Sequence, residues 1–175
     1  MSATATVSDE FVITRVLDAP RERVWQAWTE KERLAQWWGP KGCVIRVVKF
    51  DLRLGGHFHY VMQFPGSEMW GRFTFREISP PGRLVFVNSF SNEAGEVTRA
   101  PFPGIGETIP LEIQNTVTFV AQGNQTRMTL RAVPLNASDI ERQTFIGMMD
   151  SLNQGCGGTF DQLEAHLALA TGDAP

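Results

Sequence analysis

An α+β fold, with a curved antiparallel sheet gripping one long C-terminal helix, is predicted by three features of the sequence. A sustained helical period runs from Ser138 to Ala170. A succession of short alternating segments, separated by glycine- and proline-rich turns, fills the stretch from Cys43 to Arg131. Between the first strand and that stretch lie two short helical segments that carry four of the five tryptophans, Trp25, Trp28, Trp37 and Trp38.

The helix comes first because it needs a cover. Phe145, Met149, Leu152, Cys156, Phe160, Leu163 and Leu167 recur every three or four residues and stack on one narrow face, while Gln143, Asp150, Gln154, Asp161 and Glu164 take the other. Ser138 followed by Glu141 has the spacing of a capping box and marks the helix start. A helix cannot bury such a face against itself, so a broad sheet must lie against it.

In chain order, Phe11 to Asp18 reads as a strand interrupted by Arg15, and Ala19-Pro20 ends it. Pro20 opens a helix with Val24, Trp25 and Trp28 on one side. Thr29 and Glu32 repeat the capping-box spacing ahead of Leu34, Trp37 and Trp38, and Gly39-Pro40 stops the second helix. The tryptophan cluster has two readings: packing against the sheet, or an aromatic lid over a ligand cavity.

From Cys43 the period changes to two. Cys43 to Leu52 is a strand of ambiguous facing, since Val44, Val48 and Phe50 compete with Ile45 and Val47 for the inner side. After Gly55-Gly56, Phe58, Tyr60, Met62 and Phe64 face the helix, which places His57, His59, Val61 and Gln63 on the solvent side. Pro65-Gly66-Ser67 closes a hairpin onto Met69, Gly71, Phe73 and Phe75. Beyond Pro80-Pro81-Gly82, Leu84, Phe86 and Phe90 share a face with Asn88. Ile113, Val117 and Phe119 share one with Asn115, and after Gln122-Gly123-Asn124 the residues Met128 and Leu130 point inward. Short turns of this kind join antiparallel neighbours. Ser91 to Pro110, broken by Pro101, Pro103, Gly104, Gly106 and Pro110, reads as a long loop of the sort that carries function or motion.

Composition sets limits. The 175 residues fit one domain, residues 10–171, behind a small, polar and flexible segment 1–9. Hydrophobic residues make up 42% and charged residues 20%, the balance of a soluble globular protein, and a net charge of −3 gives no basic footprint for nucleic acid. Neither a signal peptide nor a bilayer-spanning run is visible, so the expected location is the cytoplasm. Cys43 and Cys156 lack metal-ligand spacing and are expected to be reduced thiols. No metalloprotease helix motif, phosphate-binding loop or nucleophile elbow occurs, and Gly104-Ile105-Gly106 does not complete a dinucleotide fingerprint. His57 and His59 could share a metal only if further ligands joined them, so no metal and no cofactor are expected. His166 reads as a solvated or capping residue near the helix end.

Several motifs in a fixed order now carry a resemblance. Leu17-Asp18-Ala19-Pro20, Val24-Trp25-Gln26-Ala27-Trp28, Trp37-Trp38-Gly39-Pro40, Asp51-Leu52-Arg53-Leu54-Gly55-Gly56 and Asp161-Gln162-Leu163 resemble the activator-of-Hsp-90-ATPase homologue family, within the START-like, or SRPBCC, superfamily. The resemblance spans Phe11 to Ala170. It implies a helix-grip (Bet v 1-like) fold with a seven-stranded curved sheet, two short helices after the first strand, and an apolar cavity beneath the C-terminal helix. Where many members carry Gly-Trp, this chain has Gly155-Cys156, in the middle of the inward helix face. Cysteine leaves a smaller volume than tryptophan, so either neighbours such as Phe145 or Phe160 close the gap or a cavity opens there. Gly155, Gly157 and Gly158 weaken the helix by roughly 1 kcal/mol each, which points to close backbone approach or a tightly packed bend.

The candidate ligand-binding residues are accordingly Trp37 and Trp38 from the helical pair, and Phe58, Tyr60, Met62, Phe73, Phe86, Asn88 and Asn115 from the strands. Phe145, Met149, Leu152 and Cys156 join them from the terminal helix. Tyr60, Asn88 and Asn115 are polar groups assigned to an apolar interior, where they either bond one another, backbone and water or orient a ligand. The leading expectation is a carrier or sensor for a small hydrophobic molecule, acting as a monomer or homodimer. The resemblance adds two alternatives: a chaperone cofactor in a stress response, and a metal-free enzyme of the polyketide-cyclase kind with Tyr60 as proton donor.

Overall fold

The computed structural model describes residues 9–172. The chain builds β1 (Phe11–Leu17), α1 (Arg21–Thr29), α2 (Lys31–Trp37), β2 (Val44–Phe50), β3 (His57–Phe64), β4 (Ser67–Ser79), β5 (Arg83–Ser91), β6 (Val97–Thr98), β7 (Glu112–Gln122), β8 (Gln125–Leu135), α3 (Asp139–Gly147) and α4 (Met149–Gly172). Seven strands pair antiparallel in the order β1-β8-β7-β5-β4-β3-β2, and the two-residue β6 adds an eighth against β5. The segment read as a featureless loop therefore holds one short strand and a single 3-10 turn, Ile105–Glu107. The expected flexible N-terminal segment lies outside the described residues except for Asp9, which sits 3.5 Å from Arg142 in an ion pair.

The ambiguous facing of β2 has a physical cause. Its register against β3 shifts between Val47 and Lys49, so one extra residue reverses the alternation partway along the strand. Ile45 and Val47 lie on the inner side before the bulge and Phe50 after it, leaving Val44 and Val48 exposed. Of the two competing sets, Ile45 and Val47 both face inward, and Phe50 alone of the other set joins them.

The helical pair packs over one end of the concave face. Trp28 is fully buried, with ring centroids of Trp37, Trp38, Phe86, Phe119 and Phe160 between 4.8 and 6.3 Å away. The expected cap at Thr29 does not form: Thr29 ends α1, and its hydroxyl donates to the Trp25 carbonyl at 2.7 Å. Glu30 occupies the cap position of α2 without a capping bond from its side chain, whose carboxylate accepts from Arg33 at 2.8 Å. At the other end of α2, Gly39 follows the cap in a positive-φ conformation (+95°) that glycine adopts without strain.

The C-terminal helix is two helices. The Ser138–Glu141 capping box forms in both directions, at 3.2 and 2.8 Å, but the ladder breaks at Met148, and a new helix starts where the Leu152 amide bonds the Met148 carbonyl. Side chains of α4 then fasten it to the body. Thr159 and Gln162 donate to the Gly39 carbonyl at 3.1 and 2.6 Å, and Gln162 also reaches the Trp37 carbonyl, so two carbonyls of buried residues at and just past the end of α2 are satisfied. Arg15, the residue that interrupts β1, pairs with Asp161 at 2.7 Å. His166, expected as a solvated or capping residue, is buried against α2 with Nδ1 3.1 Å from Gln36 Oε1.

The convex face is not uniformly solvated. His59, Val61, Val85 and Val87 are buried on it, His59 under Trp70 and the turn at Asn92–Gly95. His59, assigned from the strand pattern to solvent, donates through Nε2 to the Asn92 carbonyl at 3.1 Å and packs against Trp70 with the rings tilted by 36°, while His57 bonds Thr74. Period two gave the correct face for both histidines; it carries no information about a turn folded over that face. Among the described residues, no helix is long and apolar enough to cross a membrane.

Candidate functional site: a cavity under the C-terminal helix

Strand register divides the concave face. At one end Phe58, Phe73, Phe75 and Phe86 pack beneath the tryptophans. At the other, Tyr60 faces Gly71 and Met62 faces Met69 across β3 and β4, Gly71 faces Phe90 on β5, and Asn88 faces Ile113 on β7. Over this second end α4 offers Leu152, Gly155, Cys156 and Thr159 between the rings of Phe145 and Phe160, and a cavity of about 380 Å³ remains. That size lies in the range of small-molecule pockets. Its exposed wall residues, Pro40, Leu111, Ser151 and Gly155, place the mouth between the loop after α2, the segment before β7 and the helix. Arg99 holds this rim by donating to the Ile109 carbonyl at 3.2 Å and to the Glu141 carboxylate of α3.

The wall is mostly apolar, and among the described residues no Asp, Glu, Lys, Arg or His lines it. Its polar residues are Ser89, Asn115, Ser151, Thr159 and the bonded pair Asn88 and Tyr60. Across from Tyr60 only glycine fits, because a Cβ on Gly71 would stand 2.7 Å from the Tyr60 hydroxyl oxygen. The ring therefore lies over β4 and reaches Asn88, whose Nδ2 donates to the hydroxyl at 3.4 Å and to the Arg72 carbonyl at 3.2 Å. Asn115 Nδ2 donates to the Ile113 carbonyl at 3.2 Å. Burial raises the Tyr60 pKa, partly offset by hydrogen bonds from Trp38 and Asn88 to the hydroxyl oxygen. Near neutral pH the phenol stays protonated and serves as a hydrogen-bond donor. Burial likewise pushes the Cys156 thiol up to about 11, so it forms part of the apolar wall and is a poor nucleophile.

Of the residues proposed from sequence, Trp38, Tyr60, Met62, Asn88, Asn115, Phe145, Leu152 and Cys156 line this cavity. Trp37, Phe58, Phe73 and Phe86 do not: they are fully buried in the packed end, where ring contacts take up their surface, and the Trp37 indole donates to the Ala27 carbonyl. Met149 is partly buried against the core and is not on the wall. The helix glycines also behave unlike the expectation of close approach. A Cβ at Gly155 or Gly158 would meet nothing within 4 Å, and one at Gly157 only an Arg15 nitrogen at 3.9 Å. Sequence reasoning missed Ile109, Pro110 and Leu111, which reach the cavity from the irregular segment. Met69, Phe90, Ile113 and Leu130 were assigned inward, and the register then selects them because they share the Tyr60 end of the sheet.

A curved antiparallel sheet closed by a C-terminal helix over an apolar cavity defines the helix-grip class of α+β domains. The chain matches the family described as activator of Hsp90 ATPase homolog 1-like protein over residues 18–168 and belongs to it. Among solved structures, it is similar to a protein from Arthrobacter aurescens at 27% identity and a TM-score of 0.74, covering 91% of this chain and 86% of that one. It is also similar to a protein from Mycobacterium smegmatis at 25% identity and a TM-score of 0.72, covering 95% and 96%. An AHSA1 protein from Silicibacter pomeroyi, 19% identical with a TM-score of 0.68 over 92% and 99%, shares the fold. Among curated proteins, none matches.

Proposed function

We propose that the protein binds one small, uncharged and largely apolar molecule in the cavity between sheet and C-terminal helix, as a carrier or sensor. The observation that carries this reading is the hollow itself: about 380 Å³ bounded by apolar side chains, with no Asp, Glu, Lys, Arg or His on the wall among the described residues. Empty apolar space forfeits dispersion contacts and costs stability, so a domain that keeps such space in an otherwise tightly packed interior is poised to recover those contacts from a ligand. Tyr60, Asn88 and Asn115 on that wall supply orientation. Native mass spectrometry of freshly purified protein tests the reading directly. A bound lipophile of reproducible mass, released on unfolding, is the expected result. Protein that carries nothing and takes up no neutral lipophile would overturn it.

A further inference from the structure

Two backbone carbonyls determine which way the cavity amides point. A carbonyl oxygen only accepts, so the Asn88 atom 3.2 Å from the Arg72 carbonyl and the Asn115 atom 3.2 Å from the Ile113 carbonyl must be the amide nitrogens. Flipping either amide would set two acceptors against each other. Both nitrogens are thereby turned toward the sheet. Neither Oδ1 has a hydrogen-bond partner among the described residues, and both side chains are on the cavity wall. The Tyr60 hydroxyl is constrained in the opposite sense. It accepts from Asn88 Nδ2, so its own proton is not directed at that amide nitrogen.

We propose that the site recognises an uncharged apolar molecule bearing a carbonyl oxygen with an N–H or O–H donor beside it, as in a lactam, a carboxamide or a hydroxy-ketone. The carbonyl accepts the Tyr60 hydroxyl proton, and the neighbouring donor bonds Asn88 Oδ1, the oxygen on the same carbon as the nitrogen that touches Tyr60. Asn115 Oδ1 accepts any second donor further along the ligand. This inference rests on the cavity being a ligand site and adds which ligand edge it reads.

Three bicyclic probes of similar shape separate the parts: naphthalene, quinolin-2-one, and N-methylquinolin-2-one, which keeps the carbonyl and lacks the donor. Calorimetric titration of the full chain compares the wild type with Tyr60→Phe and Asn88→Leu. Each variant is expected to weaken quinolin-2-one about two- to tenfold, the range of one net hydrogen bond, while leaving naphthalene unchanged. N-methylquinolin-2-one should respond to Tyr60→Phe and not to Asn88→Leu. Naphthalene binding serves as the check that each variant is folded, and Tyr60→Phe alone suffices for the carbonyl half if Asn88→Leu does not fold. Equal effects on all three probes, or none on any, overturn the recognition scheme and leave the cavity reading standing. Failure of every probe and of a neutral lipophilic dye to bind the wild type removes both.

Discussion

The two ends of the concave face are made by the same strands and the same helix, yet one is solid and the other hollow. At the solid end Trp28 is ringed by five aromatic side chains, and Phe73 stacks on Phe86 with centroids 4.0 Å apart. The hollow end also has rings on its wall, among them Tyr60, Phe90, Phe145 and Phe160, but interleaves them with Met62, Met69, Gly71, Asn88 and Asn115 below and Leu152, Gly155 and Cys156 above. Topology does not distinguish them; side-chain volume does. The packed end fixes the grip of helix on sheet, and the other is thereby free to stay open. Trp38, T-shaped to Phe73 at 4.9 Å and also on the cavity wall, is the shared boundary.

Substitutions can break or sharpen this contrast. The largest effect is expected from Trp28→Ala, which empties the centre of the solid end and should cost about 3–5 kcal/mol in urea unfolding. Leu152→Ala on the cavity wall should cost less than about 2 kcal/mol, because that side chain already faces space. Equal losses would mean that the two ends are packed alike. Ser138→Ala removes a reciprocal cap from α3 and should cost about 1 kcal/mol in the same assay. Gly158→Ala carries the opposite sign: with open space around the added methyl, helix propensity alone predicts a gain of up to about 1 kcal/mol, seen as a higher unfolding midpoint. A loss instead would show that the helix needs glycine there for bending.

The subtlest expectation concerns pH. Burial, with a smaller contribution from nearby Arg33, lowers the His166 pKa below its usual 6.5. The unfolded chain then binds a proton more readily than the folded one, so stability contributed by neutral His166 is present above about pH 6.5 and is lost as the pH falls below it. His57 is lowered as well, chiefly by burial and then by Arg72, and acts in the same direction. Unfolding midpoints at pH 8 and pH 5.5 should therefore differ less in His166→Gln than in the wild type. Unchanged pH dependence would exclude His166 as a contributor.

Much of the fold was legible because period and turn chemistry act locally. The capping box at Ser138, the strands on either side of Gly66 and Gly123, and the inward rows through Phe58 and Tyr60 all follow from residues close in sequence. The missed features depend on neighbours remote in sequence. His59 is covered by a turn more than thirty residues away, and His166 is taken up by Gln36. The helix break at Met148 lies inside an unbroken hydrophobic period, which reports facing and is blind to a single non-helical residue. The cavity residues divide in the same manner. Period two placed Phe58 and Tyr60 on one face, but only the register, and which end the tryptophans occupy, decides that Phe58 is core and Tyr60 is wall.

The central claim is that small side chains under α4 leave a hollow that a ligand fills. Titration of Nile red, an uncharged lipophilic dye, into the wild type and into Cys156→Trp tests it most directly, with thermal unfolding of both as the control for folding. Saturable binding by the wild type, weakened more than about tenfold in a variant that unfolds within a few degrees of it, is the predicted result. Equal dye binding by two equally stable proteins would contradict it.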